Sequence, residues 1–154
     1  MKKIEDRPTI DVAMMNVAHE IKERSEDLFI QHGCVIIHTA SKHIISTGFN
    51  GLVPGAPPEM VDRTDREARR PYMQHAEKNA VLNCTQHPLY IGHCTAYVTG
   101  KPCFACLQDM VTFGIKRIVY DDECKSYSAY DHDQPFINNL LKYCKGIKLM
   151  KLKK

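Results

Sequence analysis

Residues 94–120 read CTAYVTGKPCFACLQDMVTFGIKRIVY, and this stretch decides the fold. A β-rich run, Thr95 to Thr99, leads through a turn into a helical segment, Cys103 to Phe113, and then a second β-rich run, Arg117 to Tyr120. Strand, helix and strand in so short a span predict neighbouring parallel strands joined by a crossover helix. Outward on the C-terminal side the pattern repeats, with a predicted helix over Gln134 to Cys144 and a strand over Ile147 to Met150. On the N-terminal side His75 to Cys84 predicts a helix. Cys34 to Ile37 and Ile44 to Thr47 predict an antiparallel hairpin around the polar stretch His38 to His43. Asp11 to Phe29 carries apolar residues at helical spacing behind Thr9, a capping residue type, and predicts one amphipathic helix of about five turns.

Leu52 to Pro71 interrupts this order with Pro54, Gly55, Pro57 and Pro58, then a charged run without a hydrophobic period. It predicts a long loop that rims the functional site or carries a regulatory one, because loops of about 20 residues inside compact domains usually serve function. Its Arg63, Arg66, Arg69 and Arg70 read first as a solvated face, and second as a seat for the phosphates of an effector nucleotide. The sum is a single α/β domain over residues 1–154, built on a mixed sheet of five strands.

Composition narrows the class. With 154 residues and 44% hydrophobic content the chain can bury about two-thirds of its unfolded surface, which excludes a disordered or fibrous protein. The net charge of +3, without long basic runs, does not demand a polyanionic partner such as nucleic acid. No apolar run reaches the roughly 20 residues that cross a bilayer, so a cytoplasmic protein without membrane contact is expected. Seven cysteines, an odd number, fit metal binding or burial in a reducing compartment better than a disulfide framework.

Two fragments carry chemistry: His75-Ala76-Glu77, and Pro102-Cys103-Phe104-Ala105-Cys106. Together they offer one imidazole, two thiols and a carboxylate. A catalytic zinc takes three protein ligands and keeps its fourth tetrahedral position for water, which is the count His75, Cys103 and Cys106 provide. Both fragments fall at predicted helix starts, where unsatisfied N–H groups and the helix dipole favour thiolates. Glu77, left over as a ligand, is placed as the proton carrier. A competing reading makes the zinc a structural staple, with a fourth ligand from Cys84, His87, His93 or Cys94, and a second zinc on Cys34, Cys84 or His93 is a further alternative. Two buried thiols beside a core histidine would be the plainest one.

H-x-E followed by P-C-x-x-C resembles the signature of zinc-dependent nucleobase deaminases. From about Gly33 to Tyr127 the chain resembles the deoxycytidylate (dCMP) deaminase family in particular. Gly48-Phe49-Asn50-Gly51 matches its G-[YF]-N-G, His75 to Leu82 its H-A-E-x-N-A-[IV]-L, and Cys94 to Thr99 the strand before P-C-x-x-C. The resemblance implies a three-layer α/β/α fold, hydrolysis of dCMP to dUMP and ammonia for thymidylate supply, and assembly as a homohexamer. It implies zinc on His75, Cys103 and Cys106 with Glu77 shuttling protons. Asn50 would contact the deoxyribose hydroxyl, the backbone at Ala76 the base, and Tyr127 the base or phosphate. It also implies activation by dCTP and inhibition by dTTP with Mg2+, through the loop after G-F-N-G. Asn50 between two glycines also suits a left-handed turn with no ligand role. The chain departs from the family pattern at Gly100-Lys101, where Lys101 offers a cation to the substrate phosphate, at His32, and over Asp121 to Asp133. A deaminase of polymeric nucleic acid is the rival enzyme, and a zinc-stabilised binding module the rival without catalysis.

Overall fold

The computed structural model describes residues 3–121 and 132–153. Five strands, β1 Gly33–His38, β2 Ile44–Phe49, β3 Cys94–Val98, β4 Ile115–Tyr120 and β5 Lys148–Lys151, form one sheet in the order β2-β1-β3-β4-β5. β1 runs antiparallel to both β2 and β3, while β3, β4 and β5 are parallel. The α-helices are α1 Ile10–Lys22, α2 Arg66–Arg69, α3 Ala76–Leu82, α4 Pro88–Ile91, α5 Phe104–Phe113 and α6 Gln134–Tyr143. α5 and α6 are the crossovers that keep β3, β4 and β5 parallel.

Side chains alternate along the strands and divide the core in two. Cys34 and Ile36 of β1, with Ala96 and Val98 of β3, join Ala80 of α3 and Leu107 and Met110 of α5. Val35, Ile37 and Tyr97, one residue out of phase, meet Met15 and Ala18 of α1 on the opposite face. Three layers follow, with α1 on one side and α3, α5 and α6 on the other. Each wholly buried Ile, Leu or Met contributes about 1.5–3 kcal/mol, so the central strands, buried on both faces, anchor the structure.

α3 reaches its place because Gly48 has no side chain. A Cβ there would lie 2.3 Å from the Ala76 carbonyl oxygen and from the Ala80 nitrogen. The Ser46 hydroxyl donates to the Ala80 carbonyl and the Asn79 amide to the Phe49 carbonyl, which lock the same contact with hydrogen bonds of 2.6 and 2.8 Å.

The structure corrects three expectations. The first helix stops at Lys22 instead of running to Phe29. Leu28 and Phe29 fit a helical period yet are 60% and 57% exposed, and the chain between turns about Asp27, whose Oδ1 accepts the Phe29 and Ile30 N–H groups. The stretch from Leu52 is not a plain loop: it carries α2, capped by the Asp65 carboxylate on the Glu67 and Ala68 N–H groups, and short 3-10 turns at Pro58–Met60 and Arg70–Tyr72. An isolated bridge between Gly51 and Gln74 ties its two ends together. Third, Arg69 is not part of a solvated face but 4% exposed. The other elements match to within a few residues, and α4 was not foreseen.

Candidate active site

His75 and Cys103 occupy equivalent positions, each the extended residue immediately before a helix, α3 and α5 respectively. α3 and α5 pack on the same face of the sheet, so their N-terminal ends converge. His75 Nδ1 lies 3.2 Å from Cys106 Sγ and 3.6 Å from Cys103 Sγ. The Cys106 N–H donates to Cys103 Sγ at 3.4 Å, which folds the two sulfurs onto one turn.

These three donors suit zinc. All three ligand atoms lie within 4.8 Å of one another. A tetrahedral ion with bonds of about 2.1 Å to nitrogen and 2.3 Å to sulfur spaces its donors roughly 3.6–3.8 Å apart. The thiol chemistry agrees. The Cys103 thiol is held well below its ordinary value, first by the hydrogen bond from Cys106 and then by His75, while sharing that proton pushes Cys106 up. The pair thus favours thiolate character at Cys103, and a divalent ion deprotonates both. Among the described residues no fourth His, Cys or carboxylate joins the set. Cys84 and Cys94 turn their thiols to the Gln86 and Gly92 carbonyls instead, and Cys34 is enclosed in the core.

Glu77 sits one residue inside α3, 6% exposed, and burial raises its carboxyl above the usual range against the opposing pull of His75. His75, Glu77 and Cys103 line one partly open cavity. Its wall carries four cationic side chains, Arg66, Arg69, Arg70 and Lys101, against the acids Asp27 and Glu77. His32 lines the same space, and burial lowers its imidazole to about 4, which keeps it neutral.

Ala76 and Asn50 also line the cavity. The Asn50 side chain is engaged by the protein: Oδ1 accepts from the His32 N–H at 2.6 Å and the Ser25 hydroxyl at 2.8 Å, and Nδ2 donates to the Ile30 carbonyl. Asn50 does not adopt a left-handed conformation. Lys101 Nζ donates to Gln134 Oε1 beside the cavity. Tyr127 lies outside the described residues.

Sequence reasoning missed Asp27 and Asp133. Asp27 pairs with Arg69 through Arg69 Nη1 and Asp27 Oδ2. Asp133 accepts the Phe104 N–H at 2.9 Å and so caps the helix that carries Cys106. Ser25-x-Asp27 ahead of a strand is a turn signal that was legible. The Asp133 contact, 29 residues from its partner, left no local trace.

Among the described residues no helix is long and apolar enough to cross a membrane. Residues 8–121 match the family described as the cytidine and deoxycytidylate deaminase zinc-binding region. The mouse deoxycytidylate deaminase is 32% identical over 111 residues, which cover 69% of this chain and 61% of the mouse protein. The chain thus spans under two-thirds of that relative's length. The deoxycytidylate deaminase of Mycobacterium phage D29 is 32% identical over 130 residues, covering 76% of this chain and 98% of the phage protein. In fold, the dCMP deaminase of cyanophage S-TIM5, crystallised with dCMP and dUMP, superposes with a TM-score of 0.73 at 21% identity, over 95% of this chain and 98% of that one. With its His-Cys-Cys cluster and buried glutamate, the chain belongs to the cytidine and deoxycytidylate deaminase zinc-binding family.

Proposed function

We propose that this protein hydrolyses dCMP to dUMP and ammonia. The observation that carries the reading is the buried Glu77 beside three converging metal donors, at the floor of a cavity with cationic walls. The deoxycytidylate deaminases at 32% identity support cytosine as the base and a monophosphate as its handle. Zinc, when bound by His75, Cys103 and Cys106, supplies the acidity that makes water a nucleophile at neutral pH.

Glu77 does the proton work. Its raised pKa suits a carboxylate that accepts a proton from the attacking water, passes it to ring N3, and returns one to the amino group on C4. The water oxygen forms a bond to C4, the C4–N bond breaks, and ammonia leaves. The backbone at Ala76 reads the base. Asn50 holds the Ser25 to His32 turn in place and bounds the deoxyribose. Lys101, and Tyr127 from outside the described residues, complete the substrate side.

The finer proposals rest on family likeness: one deaminase domain in a cytoplasmic homohexamer, a product that feeds thymidylate synthesis, and dCTP activation and dTTP inhibition with Mg2+ at the arginine-bearing excursion after Gly51. Ammonia release from dCMP, cytidine, dCTP and a cytosine-containing oligonucleotide tests the reading. Turnover confined to the oligonucleotide overturns it, and rates indifferent to dCTP and dTTP remove the regulation.

A further inference from the structure

Arg69 stands apart from the other cations of the cavity wall. Arg70 is exposed and Arg66 partly so, whereas the Arg69 side chain is 95% buried, being 5% exposed. Three contacts fix it. Asp27 Oδ2 accepts from Arg69 Nη1, the guanidinium carbon lies 4.7 Å from the centroid of the Phe29 ring, and α2 holds the backbone. Asp27 is itself pinned, since its Oδ1 accepts the Phe29 and Ile30 N–H groups at 2.8 and 3.1 Å. Yet Arg69 Nε is buried without a hydrogen-bond partner among the described residues. Buried donors are almost always satisfied. Arg69, a pinned guanidinium with a buried, unpaired Nε, is among the residues that line the cavity with Glu77.

We infer that Arg69 is the residue that reads the 5′-phosphate of the substrate, and so sets the preference for a nucleotide over a nucleoside. The inference rests on the deamination of dCMP argued above and adds the group that selects it. A phosphate dianion matches the chemistry of the vacant donor, because guanidinium groups bind phosphate with several parallel N–H bonds. Asp27 and Phe29 hold the fork before substrate arrives, so little side-chain freedom is lost on binding. Asp27 takes one edge of the fork, and Arg70 and Lys101 line the same cavity. The pairing also joins two remote segments, the turn of Ser25 to His32 and the excursion after Gly51.

The test is binding of the unreactive product pair, dUMP and deoxyuridine, to the zinc-loaded protein by calorimetry, with ammonia release from dCMP and deoxycytidine measured alongside. Wild type should bind dUMP at least 100-fold more tightly than deoxyuridine. Arg69→Gln should reduce that ratio to below about tenfold through weaker dUMP binding, with deoxyuridine unchanged. Arg69→Lys keeps a charge opposite Asp27 but loses the fork, and should lose about tenfold for dUMP while remaining folded and zinc-replete. Lys142→Gln, at an exposed α6 cation that does not line the cavity, should change the ratio less than threefold. Equal loss of both ligands in the Arg69 variants means a merely structural role and overturns the inference, as does an unchanged ratio. Either result alongside brisk wild-type turnover of dCMP leaves the deaminase reading intact. Wild-type turnover of deoxycytidine but not dCMP sinks both.

Discussion

The two walls of the active site are built by opposite strategies. The metal wall is local: Cys103 and Cys106 share one turn, and His75 and Glu77 lie two residues apart at the start of another helix. The arginine wall is assembled from a distance, with Arg69 reaching Asp27 across 42 residues of sequence. Chemistry that tolerates no error in geometry is thus fixed by helix starts, where backbone and side chain move as one. The cationic side of the cavity is left to segments that meet only after folding.

The largest effect belongs to Glu77→Gln, which keeps shape and every ligand but removes the proton carrier. Turnover of dCMP should fall by about 10³-fold or more while zinc stoichiometry and the unfolding midpoint stay put. Zinc lost together with activity would mean that Glu77 serves the metal and not the proton. Next comes Gly48→Ala, aimed at the seating of the metal wall. The new Cβ would meet α3 backbone, which cannot swing aside as a side-chain tip can, so a loss of about 3 kcal/mol in urea denaturation is expected, with weakened zinc retention. Gly51→Ala is the control. Its nearest neighbours would be side-chain carbons at 3.8–3.9 Å, and stability should hold to within about 0.5 kcal/mol.

This division explains what was legible beforehand. The alternation of α and β, the hairpin, and the identity of the ligand turns are all statements about neighbours in sequence, and the strands, α5 and α6 fall where periodicity places them. Leu28 and Phe29 misled because an apolar pair at helical spacing looks the same whether it completes a helix or covers a guanidinium; Phe29 does the latter. Arg69 misled for the converse reason. A run of arginines is ordinarily solvated, and nothing near Arg69 in sequence announces the carboxylate that neutralises it. α2 was within reach, since Asp65 before Arg66-Glu67-Ala68 has the form of a capped helix start.

Another substitution asks whether the metal wall is as local as it looks. Asp133, at the start of α6, accepts the Phe104 N–H, and the rings of Phe104 and Phe136 pack with centroids 5.6 Å apart. Asp133→Ala should cost about 1 kcal/mol and, because the lost cap lies on the turn between Cys103 and Cys106, loosen zinc about fivefold in competition with a chelator. Asp133→Asn, which keeps an acceptor, should retain most of the affinity. Unchanged zinc affinity in both would show that the turn between the two cysteines is self-sufficient.

The smallest expected effect concerns a long-range ion pair that lies outside the cavity. On the α1 face, Arg117 Nη2 lies 2.6 Å from Asp11 Oδ2, and the Tyr97 hydroxyl donates to Asp11 Oδ1. The two charged side chains are 29% and 28% exposed, so solvent screens the pair and its worth is below about 1 kcal/mol. The Arg117 bond, opposed by partial burial and aided by Tyr97, holds the Asp11 carboxyl below its ordinary value. A group depressed in this way stabilises the fold above its unfolded pKa of about 3.9 and loses that contribution as pH falls through the lower folded value. Wild type should therefore exceed Asp11→Asn by a constant margin above about pH 5, and the margin should shrink below about pH 4. A margin that instead widened in acid would mean that Asp11 binds its proton more readily when folded, and the Arg117 contact would not be what sets its charge. Substrate discrimination should be untouched by Asp11→Asn, which separates a long-range pair that only braces the fold from the Asp27 and Arg69 pair that lines the cavity.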